Sequence, residues 1–96
     1  MSQVQIKLFA QLRELAKTQE LVIDIEKPTR LSDVLEELNQ ASNPRFNRYL
    51  FEEGSNQPKS EFTITINNIK TKEMDSLVHP GDVVAILPPV GGGTIF

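Results

Sequence analysis

The stretch Val83-Val84-Ala85-Ile86-Leu87-Pro88-Pro89-Val90-Gly91-Gly92-Gly93 decides the fold. Its first five residues are apolar without the alternation of a half-solvated strand, which suits a strand at the centre of a sheet. Two prolines then leave that strand stiffly, since each fixes φ and neither has an N–H to give to a ladder. The glycines that follow carry no side chains, so this end is thin enough to thread a narrow channel in another protein and present a backbone carboxyl group there. On an arbitrary globule such glycines would read as fraying. A stiff strand aimed at three of them changes that reading.

Working outward, His79-Pro80-Gly81-Asp82 is a turn into the central strand. At the other end of the chain Val4-Gln5-Ile6-Lys7-Leu8-Phe9 alternates, so Val4, Ile6 and Leu8 point to a core. Phe9 breaks the pattern because by parity it shares a face with Gln5 and Lys7. Leu12, Leu15 and Ala16 suit a short amphipathic turn of helix, and Leu21, Ile23 and Ile25 form a returning strand stopped by Pro28. Leu31, Val34, Leu35, Leu38 and Ala41 make one apolar stripe and predict a helix over 31–41, with Thr29 or Ser32 as its N-cap. Asn43-Pro44 ends it. Phe46, Tyr49, Leu50 and Phe51 follow at roughly helical spacing and are expected to pack as a further short helix. Glu52 to Ser60 has the composition of a mobile loop.

Phe62-Thr63-Ile64-Thr65-Ile66 alternates again and ends at Asn67-Asn68, a pair that tolerates the positive φ of a tight turn, after which Ile69-Lys70-Thr71 reads as a brief edge strand. The layout is α+β: a sheet with one main helix packed on one face and the other face open. Parity places Lys7, Phe9, Thr63, Thr65, Ala85 and Leu87 on that open face. Phe9 and Leu87 are then large apolar groups with no core to enter, as protein contacts often are.

Composition narrows the function. Ninety-six residues, 39% hydrophobic and 24% charged, make one ordinary domain. No apolar run reaches membrane-spanning length and Met1-Ser2-Gln3-Val4 lacks a signal-peptide pattern, so a cytoplasmic protein without a membrane partner is expected. Zero cysteines exclude a disulfide framework, a thiolate nucleophile and cysteine-type zinc sites. Thirteen Asp and Glu against ten Lys and Arg, a net charge of −3, argue against nucleic acid as a partner.

The candidates for catalysis fall away one by one. His79 is the single histidine, sits in a turn and has no second His or Cys to work with. Glu36-Glu37 and Glu52-Glu53 read as solvated surface, because adjacent helix residues do not face each other and the second pair lies in a loop. No phosphate-cradling glycine motif is present, so the chain is not expected to bind ATP on its own, and Asp82 reads as a turn residue. What remains is the C-terminus.

Phe9-Ala10-Gln11-Leu12-Arg13-Glu14-Leu15, Gly81-Asp82-Val83-Val84-Ala85 and Pro88-Pro89-Val90 leading into glycines together resemble the MoaD/ThiS family of β-grasp, ubiquitin-like sulfur carriers, over nearly the whole chain. The Leu-Arg-Glu segment and the double proline are more similar to the MoaD branch, the small subunits of molybdopterin synthase. The resemblance implies a β-grasp domain over 1–90 and a flexible glycine-rich tail over 91–96. It also implies a division of labour. An E1-like enzyme, using its own ATP, would adenylate the carboxylate of Gly93, and sulfur would displace AMP. The resulting thiocarboxylate would enter a MoaE-like large subunit for molybdopterin synthesis. This chain would be a carrier, binding no cofactor or metal itself. Gly92 and Gly93 would then be the working residues, and Phe9, Leu87, Pro88, Pro89 and Gly91 would meet the partners. One departure is plain: the family ends at the diglycine, whereas Thr94-Ile95-Phe96 lie beyond it here, which implies either trimming by a processing peptidase or a member that has left the sulfur pathway. The alternative is a ubiquitin-like modifier conjugated to target lysines through Gly93. A third reading is an interaction module with a vestigial tail.

Overall fold

The computed structural model describes residues 2–89. The chain runs β1 (Gln3–Leu8), α1 (Ala10–Ala16), β2 (Glu20–Asp24), β3 (Thr29–Arg30), α2 (Leu31–Ala41), α3 (Pro44–Leu50), β4 (Thr63–Ile66), β5 (Ile69–Thr71), β6 (Leu77–Val78) and β7 (Val83–Leu87). Five strands form a mixed sheet in the order β2-β1-β7-β4-β5, and β3 pairs with β6 beside it. The run Val83 to Leu87 is the central strand, parallel to β1 through Gln5–Val83 to Leu8–Ile86 and antiparallel to β4 through Thr63–Leu87 to Ile66–Val84.

One face of the sheet makes the core. Val4, Ile6, Leu8, Ile23, Ile64, Val84 and Ile86 are buried there against Leu31, Val34, Leu35 and Leu38 of α2. Ala41, at the far end of the predicted stripe and the last residue of the helix, is exposed instead. The helix bounds match the apolar stripe, but neither Thr29 nor Ser32 caps it: the N-cap is Arg30, with no side-chain bond. The reason is tertiary. The N–H groups of Leu31 and Ser32 donate to the backbone carbonyls of Ser76 (2.8 Å) and Met74 (2.9 Å), which satisfy the orphan donors of the first turn. The Thr29 hydroxyl turns away and donates to the Lys27 carbonyl.

Local chemistry accounts for the other junctions. Asn43 caps α3 by accepting from the Phe46 N–H at 2.9 Å, with Pro44 following in the first turn where its missing N–H costs nothing. Asn67 and Asn68, at φ 51° and 71°, form the tight turn between β4 and β5. Gly81, at φ 95°, follows Pro80 in a turn closed by the Asp82 N–H on the His79 carbonyl, so glycine is required there. The 52–60 segment lies between α3 and β4, and its ends are drawn together by bonds from Glu52 N–H to Gln57 and from Lys59 N–H to Leu50. Tyr49 departs from expectation. Phe46, Leu50 and Phe51 are buried, whereas Tyr49 is 39% exposed. A seven-residue helix offers its core side to Phe46 and Leu50, one turn apart, and Tyr49 falls at its edge with its ring edge-on to Phe62, centroids 5.6 Å apart.

Candidate functional site

The candidate site is the end of the sheet from which β7 leaves. Because β1 and β7 are parallel and Leu8 pairs with Ile86, the next step of the register sets Phe9 beside Leu87. Both strands therefore end at the same edge. Phe9 keeps extended geometry (φ −136°, ψ 156°) as the N-cap of α1, so the alternation continues past Leu8 and turns its ring to the face away from the core, where it is 37% exposed. Leu87 and Pro88 are half-buried and Pro89 is exposed. Pro88 follows the last ladder pair, Leu87 with Thr63, where its missing N–H removes nothing from the sheet. Gly91, Gly92 and Gly93, with Thr94, Ile95 and Phe96, lie outside the described residues.

The open face behaves differently along its width. Near β2 it is mixed, with Gln3 bonded to Asp24 and Gln5 to Glu20 across the strands and Val22, the register partner of Gln5, 47% exposed. On β7, Val83, Ala85 and Leu87 share the face and lead to Phe9, while Lys7 is exposed. Thr65, expected to be open, is 8% exposed, flanked in register by Ala85 on one side and Lys70 on the other. Thr65 is thus covered by its neighbours in the middle of the face, while Phe9 and the half-buried Leu87 place apolar surface at the end of β7; Val22 adds another exposed apolar group near β2.

Other titratable residues have structural roles. Asp82 accepts from the Asn67 amide at 3.0 Å and from the His79 N–H at 2.8 Å, while Asn67 in turn accepts from the Val83 N–H at 2.9 Å. Partial burial pushes the Asp82 carboxyl up, but the Asn67 and His79 hydrogen bonds and the charge of His79 together hold it below its ordinary value. His79 approaches it at 3.8 Å and is otherwise solvated, with 57% of its side chain exposed. Glu36, Glu37, Glu52 and Glu53 are exposed. Among the described residues no cluster of His, Cys, Asp and Glu could hold a metal ion, and no helix is long and apolar enough to cross a membrane.

One feature escaped the sequence reading. A groove of about 290 Å³ between α1 and α3 is lined by Gln11, Leu15, Arg45, Arg48, Tyr49 and Lys59. The spacing i, i+3, i+4 of Arg45, Arg48 and Tyr49 does show one helix face once Phe46 and Leu50 are known to point inward. Lys59, brought in from the loop by its bond to Leu50, leaves no such sign.

A hairpin β1–β2, a helix packed across it and a central final strand parallel to the first define the ubiquitin-like β-grasp class, here with an end of β7 suited to protein contact. The profile of the ThiS family matches residues 6–93, and the chain belongs to that family. Among solved structures, small archaeal modifier protein 1 from Methanosarcina acetivorans is 35% identical with a TM-score of 0.77, covering 97% of this chain and 98% of that one. The putative molybdopterin converting factor, subunit 1, from Pyrococcus furiosus is 26% identical, with a TM-score of 0.70 and coverage of 94% and 100%. Small archaeal modifier protein 1 from H. volcanii, 23% identical, has the same fold with a TM-score of 0.81 over 94% and 100%. No curated protein matches the chain by sequence.

Proposed function

We propose that this chain is a covalent sulfur carrier whose working group is the carboxylate of Gly93, exposed by removal of Thr94-Ile95-Phe96. The observation that carries the reading is the course of β7. The central strand of the sheet runs parallel to β1, ends beside Phe9, and continues through Pro88-Pro89 toward glycines. A carboxylate is a poor electrophile, so an E1-like partner must first join it to AMP: the carboxylate oxygen attacks the α-phosphorus of ATP and pyrophosphate leaves. Hydrosulfide then adds to the acyl carbon and AMP departs with the C–O bonding pair, leaving the thiocarboxylate and releasing one proton. This chain presents the acyl group, and the catalytic side chains and the ATP site belong to its partners.

Molybdopterin synthesis, with a MoaE-like subunit as acceptor of the carrier, is the proposed destination. The double proline and Leu12-Arg13-Glu14 favour it, as does the name of the Pyrococcus furiosus relative. The second reading, a modifier joined to lysines through Gly93, is favoured by the 35% identity to the Methanosarcina acetivorans modifier protein. Both need the same activated glycine.

The test is adenylation. In ATP–pyrophosphate exchange with the E1-like enzyme of the same cell, a chain ending at Gly93 supports exchange and the 96-residue chain does not. Equal exchange by both forms contradicts the need for trimming, and exchange by neither contradicts the carrier reading. Isopeptide adducts in that cell, with no thiocarboxylate, decide for the modifier.

A further inference from the structure

The groove between α1 and α3 carries Arg45, Arg48 and Lys59 around the half-exposed ring of Tyr49. None of the three cations has a carboxylate within ion-pair distance among the described residues, where the sole such contact is His79 with Asp82. In a chain of net charge −3 the groove itself is lined by cations and no carboxylate, while Arg48 and Lys59 also border an adjoining hollow that holds Glu52 and Glu53. The groove is also held rigidly. The Asn43 amide donates to the Leu15 carbonyl at 3.1 Å, tying α3 to α1, and the Lys59 N–H donates to the Leu50 carbonyl at 2.8 Å, tying the loop to α3.

Its position gives it meaning. Tyr49 meets Phe62, and Phe62 precedes Thr63, the partner of Leu87, so one more step of the β4–β7 register sets Phe62 across from Pro88. From the other side α1 begins at Phe9–Ala10, beside Leu87. The groove thus borders the root of the tail on the face opposite Lys7 and Ala85. We infer that this cationic and aromatic groove is a second docking surface, which receives an acidic segment of the protein that takes hold of the tail while the apolar end of β7 meets its neutral part. Guanidinium groups pair bidentately with carboxylates, and a fixed tyrosine ring adds contact area at small entropic cost. Three cations are too few for the phosphate row of a nucleic acid, which takes about 6–10 contacts, and the acidic remainder of the surface would repel it. This deepens the carrier reading and rests on it for the partner's identity.

The test compares the chain ending at Gly93 with its Arg45→Glu/Arg48→Glu and Arg45→Ala/Arg48→Ala variants in ATP–pyrophosphate exchange with the cognate E1-like enzyme. For the charge-reversed variant the KM for the carrier should rise about tenfold or more with kcat unchanged, because charge at an interface governs encounter, and its KM should lose the parent's increase with salt. The alanine variants should show a smaller rise, with all melting temperatures close to the parent's. An unchanged KM in both variants overturns the inference. Absence of exchange with the parent itself speaks against the carrier reading instead. The groove is then judged by titrating a fluorescein-labelled Asp/Glu-rich peptide and a single-stranded RNA of equal length. Peptide binding lost on charge reversal upholds it, while no peptide binding, or RNA bound as tightly, overturns it.

Discussion

Phe9 shows how one residue can stand against the pattern around it for a physical reason. Val4, Ile6 and Leu8 are 0–2% exposed, and parity sends Phe9 to the other face, where 37% of it stays in water. Burying a phenylalanine is worth ~1.5–3 kcal/mol, and on the proposed carrier reading the part of Phe9 left in water beside Leu87 is covered by a partner. Phe9→Ala should weaken binding to the activating enzyme by ~2 kcal/mol or more, as interface anchors do, with little change in thermal unfolding. A lowered melting temperature with unchanged binding would assign Phe9 to the core. Asp82 illustrates a charge used for structure. Its carboxyl is held below the usual range, so the stability it adds is present above the unfolded carboxylate pKa of ~3.9 and is lost as pH falls through the lower folded value. Asp82→Asn should therefore flatten the fall of melting temperature below about pH 4 relative to the parent. An unaltered acid limb would mean that Asp82 does not lose a proton-sensitive role on unfolding.

At the scale of elements, segments whose partners are near in sequence were readable and those with distant partners were not. The 31–41 helix and the Asn67-Asn68 turn follow from spacing and from backbone tolerance of positive φ. The N-cap of α2 was not readable because its acceptors, the carbonyls of Met74 and Ser76, come from the other end of the chain. The two-residue strands β3 and β6 are too short for any period to show. Likewise, the aromatic spacing of α3 showed a helix but not which aromatic it turns outward. The cap of α3 is a local device that also acts at a distance, since Asn43 accepts from Phe46 and donates to Leu15. Asn43→Ala should cost ~1–2 kcal/mol in chemical denaturation, through the lost cap and the lost tie to α1. A cost near zero would show that packing of Phe46 and Leu50 alone holds this helix.

For the whole molecule, the sheet positions its last strand, and the proposed chemistry belongs to the residues after Pro89. Legibility follows the same division: the core face of the sheet could be read from the alternation of β1, β2 and β4, and the end of β7 from its unbroken apolar run and two prolines, whereas the groove beside α3 needed tertiary structure. On the proposed carrier reading, in a chain ending at Gly93, Gly92→Val and Gly93→Val would place a Cβ in the partner's channel, where small misplacement can cost ~100-fold in rate. Because both positions follow the last strand in sequence and belong to none of the elements that build the core, these variants should shift unfolding by no more than ~0.5 kcal/mol while abolishing sulfur transfer. Valine variants that carry sulfur as well as the parent would show that the glycines are not there to thread a channel.

The central claim is that Gly93 carries sulfur. Its most direct measurement is the intact mass of the Gly93-terminated chain after incubation with the cognate E1-like enzyme, ATP and a sulfur donor. The account predicts an ATP-dependent gain equal to replacing one oxygen by sulfur, located at the C-terminal glycine. Adenylation followed only by return of the free carboxylate, or by transfer to lysines, would contradict it.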